Sequence, residues 1–233
     1  MVRGLAAVAS SLVVVLAGCT SVGLHSSAVR TQVDFGAADT VSLCLYLDEG
    51  VSERHARELV EEAWRDDAPL YGLQIKVASV TRWRRPAFTM DGIIDALIRE
   101  PLTPECDRIL ALIGRHLGDI VWGLLLPEYL GAVNDETLTH GYVIAQRASL
   151  NQLFDSPRSV TRHEIYHLLG CDEHFKMNRC YEQIALLKGW KQAQRSDFFP
   201  AWDMTNKLVL PSREAVNARL RAVVDGRSNL PPQ

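Results

Sequence analysis

Apolar residues recur along this chain in two rhythms, one of two residues and one of three to four, and the two alternate. Across residues 41–48, Val41, Leu43, Leu45 and Leu47 take every second place, with Ser42, Cys44 and Tyr46 between them. That spacing predicts a strand. Ser52 then precedes Ala56, Leu59, Val60, Ala63 and Trp64, which fall at helical spacing and predict an amphipathic helix over 53–66 capped by Ser52. Residues 72–80 return to the shorter period, with Leu73, Ile75 and Val77 set against Gln74 and Lys76. A second helix is predicted over 90–100, capped by Thr89 and stopped by Pro101. Residues 108–113 read as a buried strand, 120–126 as a strand or loop edge, and 141–146 as a further strand.

Asp155, Ser156 and Pro157 form a helix start, an N-cap residue standing before proline at the first helical position. Gly170 suits the left-handed residue that ends the same helix. A further helix is predicted over 178–188, stopped by Gly189, and a last one after Ser212 with Ala215, Val216, Leu220 and Val223 on one face. The order implies an α/β layout around a mixed sheet. Residues 20–38 are rich in Ser, Ala, Thr and Gly, show no period, and read as a tether.

Composition narrows the classes. At 233 residues, with 47% hydrophobic and 23% charged, the chain can bury one core, or two lobes of one domain. A net charge of -3 gives no basis for a nucleic-acid partner, and no Gly-rich phosphate-binding run supports a nucleotide. Arg3 precedes an apolar stretch over 5–16, shorter than the roughly 20 residues of a membrane span. It ends in Leu16, Ala17, Gly18 and Cys19, a run that resembles a bacterial lipobox. The resemblance implies a signal peptide over 1–18, lipid on the Cys19 thiol, a tether over 19–38 and a domain over 39–233 held at the cell envelope. Thr20 follows the cysteine, so in a diderm cell the expected place is the outer membrane, facing the periplasm. Setting Cys19 aside, four of the five cysteines remain, and an even number in an exported chain suggests two disulfides. Three pairings are possible. Cys171 with Cys180 would close a short loop, and Cys44 with Cys106 would then tie two early strands.

The chemistry concentrates in the helix that starts at Pro157. His163 and His167 stand four apart, so their side chains share one face, one turn apart, and can fill two corners of a zinc tetrahedron. Glu164 follows the first histidine, the place of a general base acting on metal-activated water. Glu173 and His174 come just after the turn at Gly170 as further candidate ligands. Elsewhere, Arg82, Trp83, Arg84 and Arg85 read as a solvated basic loop. His140 reads as a surface histidine, and 124–126 with Pro127 as an edge strand or rim.

The run His163-Glu164-Ile165-Tyr166-His167-Leu168-Leu169-Gly170-Cys171-Asp172-Glu173-His174 resembles the metzincin clan of zinc peptidases, whose pattern is H-E-x-x-H-x-x-G-x-x-H or Asp in the last place. The likeness covers roughly residues 157–180. The family position of the third ligand falls on Glu173, with His174 one residue late. Snapalysin-like members carry an acidic residue followed by histidine at these two places, and archaemetzincin-like members carry cysteines nearby.

The resemblance implies an α/β (α+β) fold with a mixed twisted sheet, backing helices and an active-site helix over 39–170. A small, mostly helical C-terminal subdomain would follow over 171–233. It implies zinc on His163, His167 and either His174 or Glu173, with a three-imidazole site the commoner form in the clan. Glu173 or Asp172 would then orient an imidazole, and a gluzincin-like variant would recruit Glu182 instead. Met177 or Met204 would supply a methionine turn. Tyr166 stands where many relatives have glycine and would pack under the site. The implied activity is hydrolysis of peptide or protein substrates, with an extended substrate pairing to an edge strand. A non-catalytic zinc lipoprotein that binds a partner, and a zinc hydrolase with a non-peptide substrate, are the alternatives.

Overall fold

The computed structural model describes residues 26–115, 129–146, 156–174 and 176–228. The signal-like segment, Cys19, Asp155 and the strand or rim expected over 120–127 lie outside the described residues.

In chain order the elements are α1 (Ser27–Arg30), β1 (Asp39–Leu47), α2 (Glu53–Trp64), α3 (Ala68–Tyr71), β2 (Leu73–Arg82), α4 (Met90–Leu97), β3 (Arg108–Ile113), β4 (Gly131–Val133), β5 (His140–Ile144), α5 (Pro157–Leu168), α6 (Met177–Gln194), β6 (Ala201–Asp203), β7 (Leu208–Leu210) and α7 (Arg213–Ser228). Five strands form a sheet in the order β2-β1-β3-β5-β4. The first four run parallel, and β4 lies antiparallel to β5 at the edge. Strands β6 and β7 form a separate antiparallel hairpin. The chain is thus a mixed α/β fold with a mostly parallel sheet, as the alternation of rhythms suggested.

Side-chain alternation along β1 divides the core in two. Val41, Leu43, Leu45 and Leu47 join the cluster built with α2, α5 and α6, while Cys44 faces the cluster built with α4 and α7. Every residue of β3 is buried, which is why its sequence reads as a continuous run. Both clusters mix residues from the two sides of position 171. Ile184 and Leu187 belong to the same cluster as Leu45, and Val216 and Leu220 to the same cluster as Ile109. Each such buried aliphatic side chain contributes about 1.5–3 kcal/mol. Cys44 is bonded to Cys106, with Cα atoms 5.6 Å apart, tying β1 to the approach to β3.

Several expectations need correction. Residues 26–38, read as part of the tether, lie on the domain. Phe35 meets the Tyr71 ring edge-on at 4.9 Å, Val29 and Val33 pack on the core, and the Ser26 amide donates to the Tyr181 hydroxyl. Three scattered apolar residues sufficed where no period was visible. Helix α6 runs past Gly189 to Gln194, because an isolated glycine costs a helix only about 1 kcal/mol and tertiary packing overrides it. The hairpin β6–β7 has strands too short to show a period. Its turn is held by Asp203, whose carboxylate accepts from the amides of Thr205 and Asn206. His140 is not a surface histidine; it is wholly buried in β5.

Candidate metal centre

Helix α5 owes its limits to local chemistry. Ser156 Oγ accepts from the Ser159 amide at 3.2 Å and Pro157 occupies the first turn, a cap of about 1 kcal/mol. At the other end Gly170 has φ +102°, its amide donates to His167 O, and the Cys171 amide donates to Tyr166 O. That pair of bonds is the Schellman closure. A side chain at Gly170 would also collide, since a Cβ there would lie 2.6 Å from Leu187 and 3.0 Å from Trp202. Tyr166 points away from the histidines, into a ring cluster with Trp64 and Tyr71, and its hydroxyl donates to the buried Asp67. Arg108, fully buried, donates to the carbonyls of Leu168, Phe199 and Pro200. It binds the end of α5 to the segment before the hairpin, and burial pulls its guanidinium down to about 10.

On the opposite side of α5, His163, His167 and His174 bring one ring nitrogen each to within 4.8 Å of one another. In the helical pair the Nε2 atoms stand 3.1 Å apart. Donors on a tetrahedral zinc with bonds near 2.0–2.1 Å stand about 3.3 Å apart, so this pair is already spaced for the ion. His174 closes the triangle, its ring 4.7 Å from that of His167 and 5.3 Å from that of His163. His167 Nδ1 donates to the Cys171 carbonyl at 2.6 Å. That bond selects the tautomer in which Nε2 carries the free lone pair. Burial holds the His167 imidazole down at about 4, which keeps it neutral. His163 is half-buried and His174 exposed, so the triangle opens to solvent on one side. Among the described residues no fourth His, Cys, Asp or Glu joins it.

Glu164 is 4% exposed, and burial alone pushes its carboxyl up to about 8. It lies against the edge strand: a Cβ at Gly131 would come within 2.6 Å of Glu164 Oε1 and 2.8 Å of its Cγ. Gly131 therefore lets the backbone of β4 approach the carboxylate directly. The Asn134 amide donates to His140 O and the Ile144 amide to Leu130 O. By antiparallel alternation, the main-chain groups of Leu130, Ala132 and Asn134 face β5, and those of Gly131 and Val133 face outward.

The remaining predicted site residues fall elsewhere. Glu173 does not join the histidines; its carboxylate accepts from Arg179 at 3.3 Å. Asp172 accepts from Arg179 at 2.8 Å and from Gln183 at 2.7 Å, so neither acid orients an imidazole by hydrogen bonding and the Cys171 carbonyl does. Glu182 is exposed on α6. Cys171 is bonded to Cys180, with Cα atoms 4.6 Å apart, closing the loop that carries His174. Met177 opens α6 within the core, and Met204 lies in the hairpin turn with its amide bonded to Glu136 O. Arg85, expected in a solvated loop, is buried beside Asp48, whereas Arg84 is exposed.

Sequence reasoning missed Gly131 and the Cys171 carbonyl. A three-residue strand leaves no period, and a backbone atom leaves no signature at all. No family model and no curated protein matches the chain.

Proposed function

We propose that this protein is a zinc-dependent peptidase of the metzincin kind, hydrolysing peptide bonds at the His163–His167–His174 triangle. The carrying observation is that triangle, open on one side, with the buried carboxylate of Glu164 on the same helix and a strand, β4, that is the edge of the sheet among the described residues and touches that carboxylate. The donor set fits zinc, because His167 is held neutral with its lone pair turned toward His163 and the pair is spaced for one ion. Of the two third-ligand candidates, His174 is favoured, because Glu173 is engaged by Arg179. A purely structural zinc site takes four protein ligands; among the described residues three gather here, which supports the catalytic reading.

Zinc held there would act as a Lewis acid, acidifying water and polarising a carbonyl. Glu164 takes the proton from the attacking water and delivers it to the leaving amine. Its burial excludes competing solvent, and Gly131 leaves room for the carboxylate to work against a peptide lying along β4. The outward main-chain groups of Gly131 and Val133 orient that peptide by strand addition.

The reading also keeps Cys19 as the lipid-bearing residue and the domain at the cell envelope. With residues 26–38 packed on the domain, residues 20–25 are what remains between lipid and fold. Even fully extended at 3.3–3.6 Å per residue, they reach only about 20 Å. The point where the chain joins the domain, at Ser26, is therefore expected within that distance of the membrane.

Replacing Glu164 with Gln tests the mechanism. The variant should bind zinc as the parent does, by metal analysis, and lose peptide hydrolysis by about 10²–10⁴-fold. A variant that cleaves as fast as the parent would refute the role of Glu164.

A further inference from the structure

The edge strand carries a second feature, on the face away from α5. Between α4 and the end of β4 lies a cleft of about 480 Å³. Met90 and Ile94 give it apolar walls, with Ala132 from the strand, and Asn134 completes the lining. Asp91 and Asp135, both exposed, stand at its rim. Asn134 itself is 1% exposed. Its Oδ1 accepts from the Thr137 amide at 3.0 Å, which fixes the orientation of the side-chain amide. Among the described residues its Nδ2 donates to nothing. A buried donor is left in that state only at a cost, and bulk water does not reach this one. What fills the cleft must therefore bring an acceptor.

We propose that this cleft is a subsite for a glutamine side chain of the peptide bound along β4, an inference that rests on the peptidase reading above. The carboxamide oxygen accepts from Asn134 Nδ2, its NH2 group donates to the carboxylate of Asp91 or Asp135, and its methylene stem lies on the apolar walls. Charged and apolar side chains each fail at one end. Lysine and arginine carry no acceptor for Nδ2. A glutamate carries acceptors but meets the two rim acids as a like charge. An aliphatic side chain or a methionine fits the walls and leaves Nδ2 without a good acceptor. Ala132 and Asn134 share one face of β4, so peptide residues paired opposite them point into the cleft. Gly131, at the Glu164 end, is three positions from Asn134, about 10 Å along a strand. For antiparallel addition, the glutamine therefore sits within about three positions on the N-terminal side of the scissile bond.

The test uses four fluorescent peptides, identical except for Gln, Met, Glu or Arg at those positions. Binding to the zinc-loaded Glu164→Gln protein is read by anisotropy. The Gln peptide should bind about tenfold or more tightly than each of the others. Its margin over Met should not change with salt, whereas its margin over Glu should shrink as salt rises. Adding Asn134→Ala removes the donor and should bring Gln level with Met. Adding Asp91→Asn with Asp135→Asn changes only exposed side chains, and should close most of the gap between Glu and Gln. Met or Arg binding as tightly as Gln overturns the subsite. So does a Gln preference that survives Asn134→Ala, or a Glu peptide that gains nothing from the neutral rim. Cleavage by the native protein is scored separately. Hydrolysis without a Gln preference removes the subsite and leaves the peptidase. Selective binding without hydrolysis of any peptide keeps the cleft as a site for a carboxamide and removes the peptidase.

Discussion

At Gly131 the fold leaves no room for a methyl group, because the space a Cβ would fill is held by the carboxylate and Cγ of Glu164 and by Val160. Gly131→Ala should push Glu164 out of register with the histidines. Hydrolysis is expected to fall by about 10²-fold, the cost of an ångström-scale misplacement. Zinc content should hold, and overpacking should cost about 1–3 kcal/mol of stability. Full activity with the alanine in place would mean that β4 does not set the position of Glu164. Residues at this scale were unevenly legible. His163, Glu164 and His167 declared themselves because their relation is local, four residues on one helix. The choice between Glu173 and His174 was not local. It depends on Arg179 engaging both acids and on the disulfide that bends the chain back, neither of which spacing encodes.

The loop after α5 acts as one element. Gly170 turns the chain, the turned chain presents the Cys171 carbonyl to His167, and the Cys171–Cys180 bond returns it to α6 with His174 between. Replacing both cysteines with serine should remove the closure of a loop of about ten residues, worth about 2–3 kcal/mol of stability in the chain-entropy account. The more specific consequence is on the metal. His174 would lose its fixed position, and zinc affinity, measured by competition with a chelator, should fall by about tenfold or more. The helical pair alone should still bind weakly. An unchanged affinity would show that His174 is placed by the loop's other contacts or does not bind. Elements with a strong local signal were readable: α2, β1 and β2 by their period, β3 as a continuous apolar run, and α5 by its start and stop. The short ones, β4, β6 and β7, were not, since they are held by pairing with partners far off in sequence.

Across the whole molecule, the sheet is joined to α4 and to the loop after β4 by a buried polar chain. Thr137 Oγ1 lies 2.7 Å from Thr139 Oγ1, which lies 2.8 Å from His140 Nδ1, and His140 Nε2 donates to the Glu100 carbonyl at 2.9 Å. The carbonyl requires a proton on Nε2, so the neutral ring accepts from Thr139 at Nδ1. Protonating Nδ1 would break that contact inside the core. Burial, with Arg108 nearby, holds the imidazole down at about 4 against an ordinary 6.5. The sign follows from linkage. Below pH 6.5 the unfolded chain takes up a proton that the folded one refuses, so this contribution to stability is complete above pH 6.5 and is lost as pH falls toward 4. At pH 4.5 the loss from this one group is about 2–3 kcal/mol. His140→Gln keeps a donor and an acceptor without a titrating ring. Denaturant unfolding of parent and variant at pH 7.5 and 4.5 should therefore show the parent losing more on acidification, by about that amount. The comparison between the two proteins cancels any acid-driven release of metal from the proposed site, since it would occur in both. Equal losses would mean that the buried chain tolerates a charged imidazole, and that the acid limit of the fold is set by other groups.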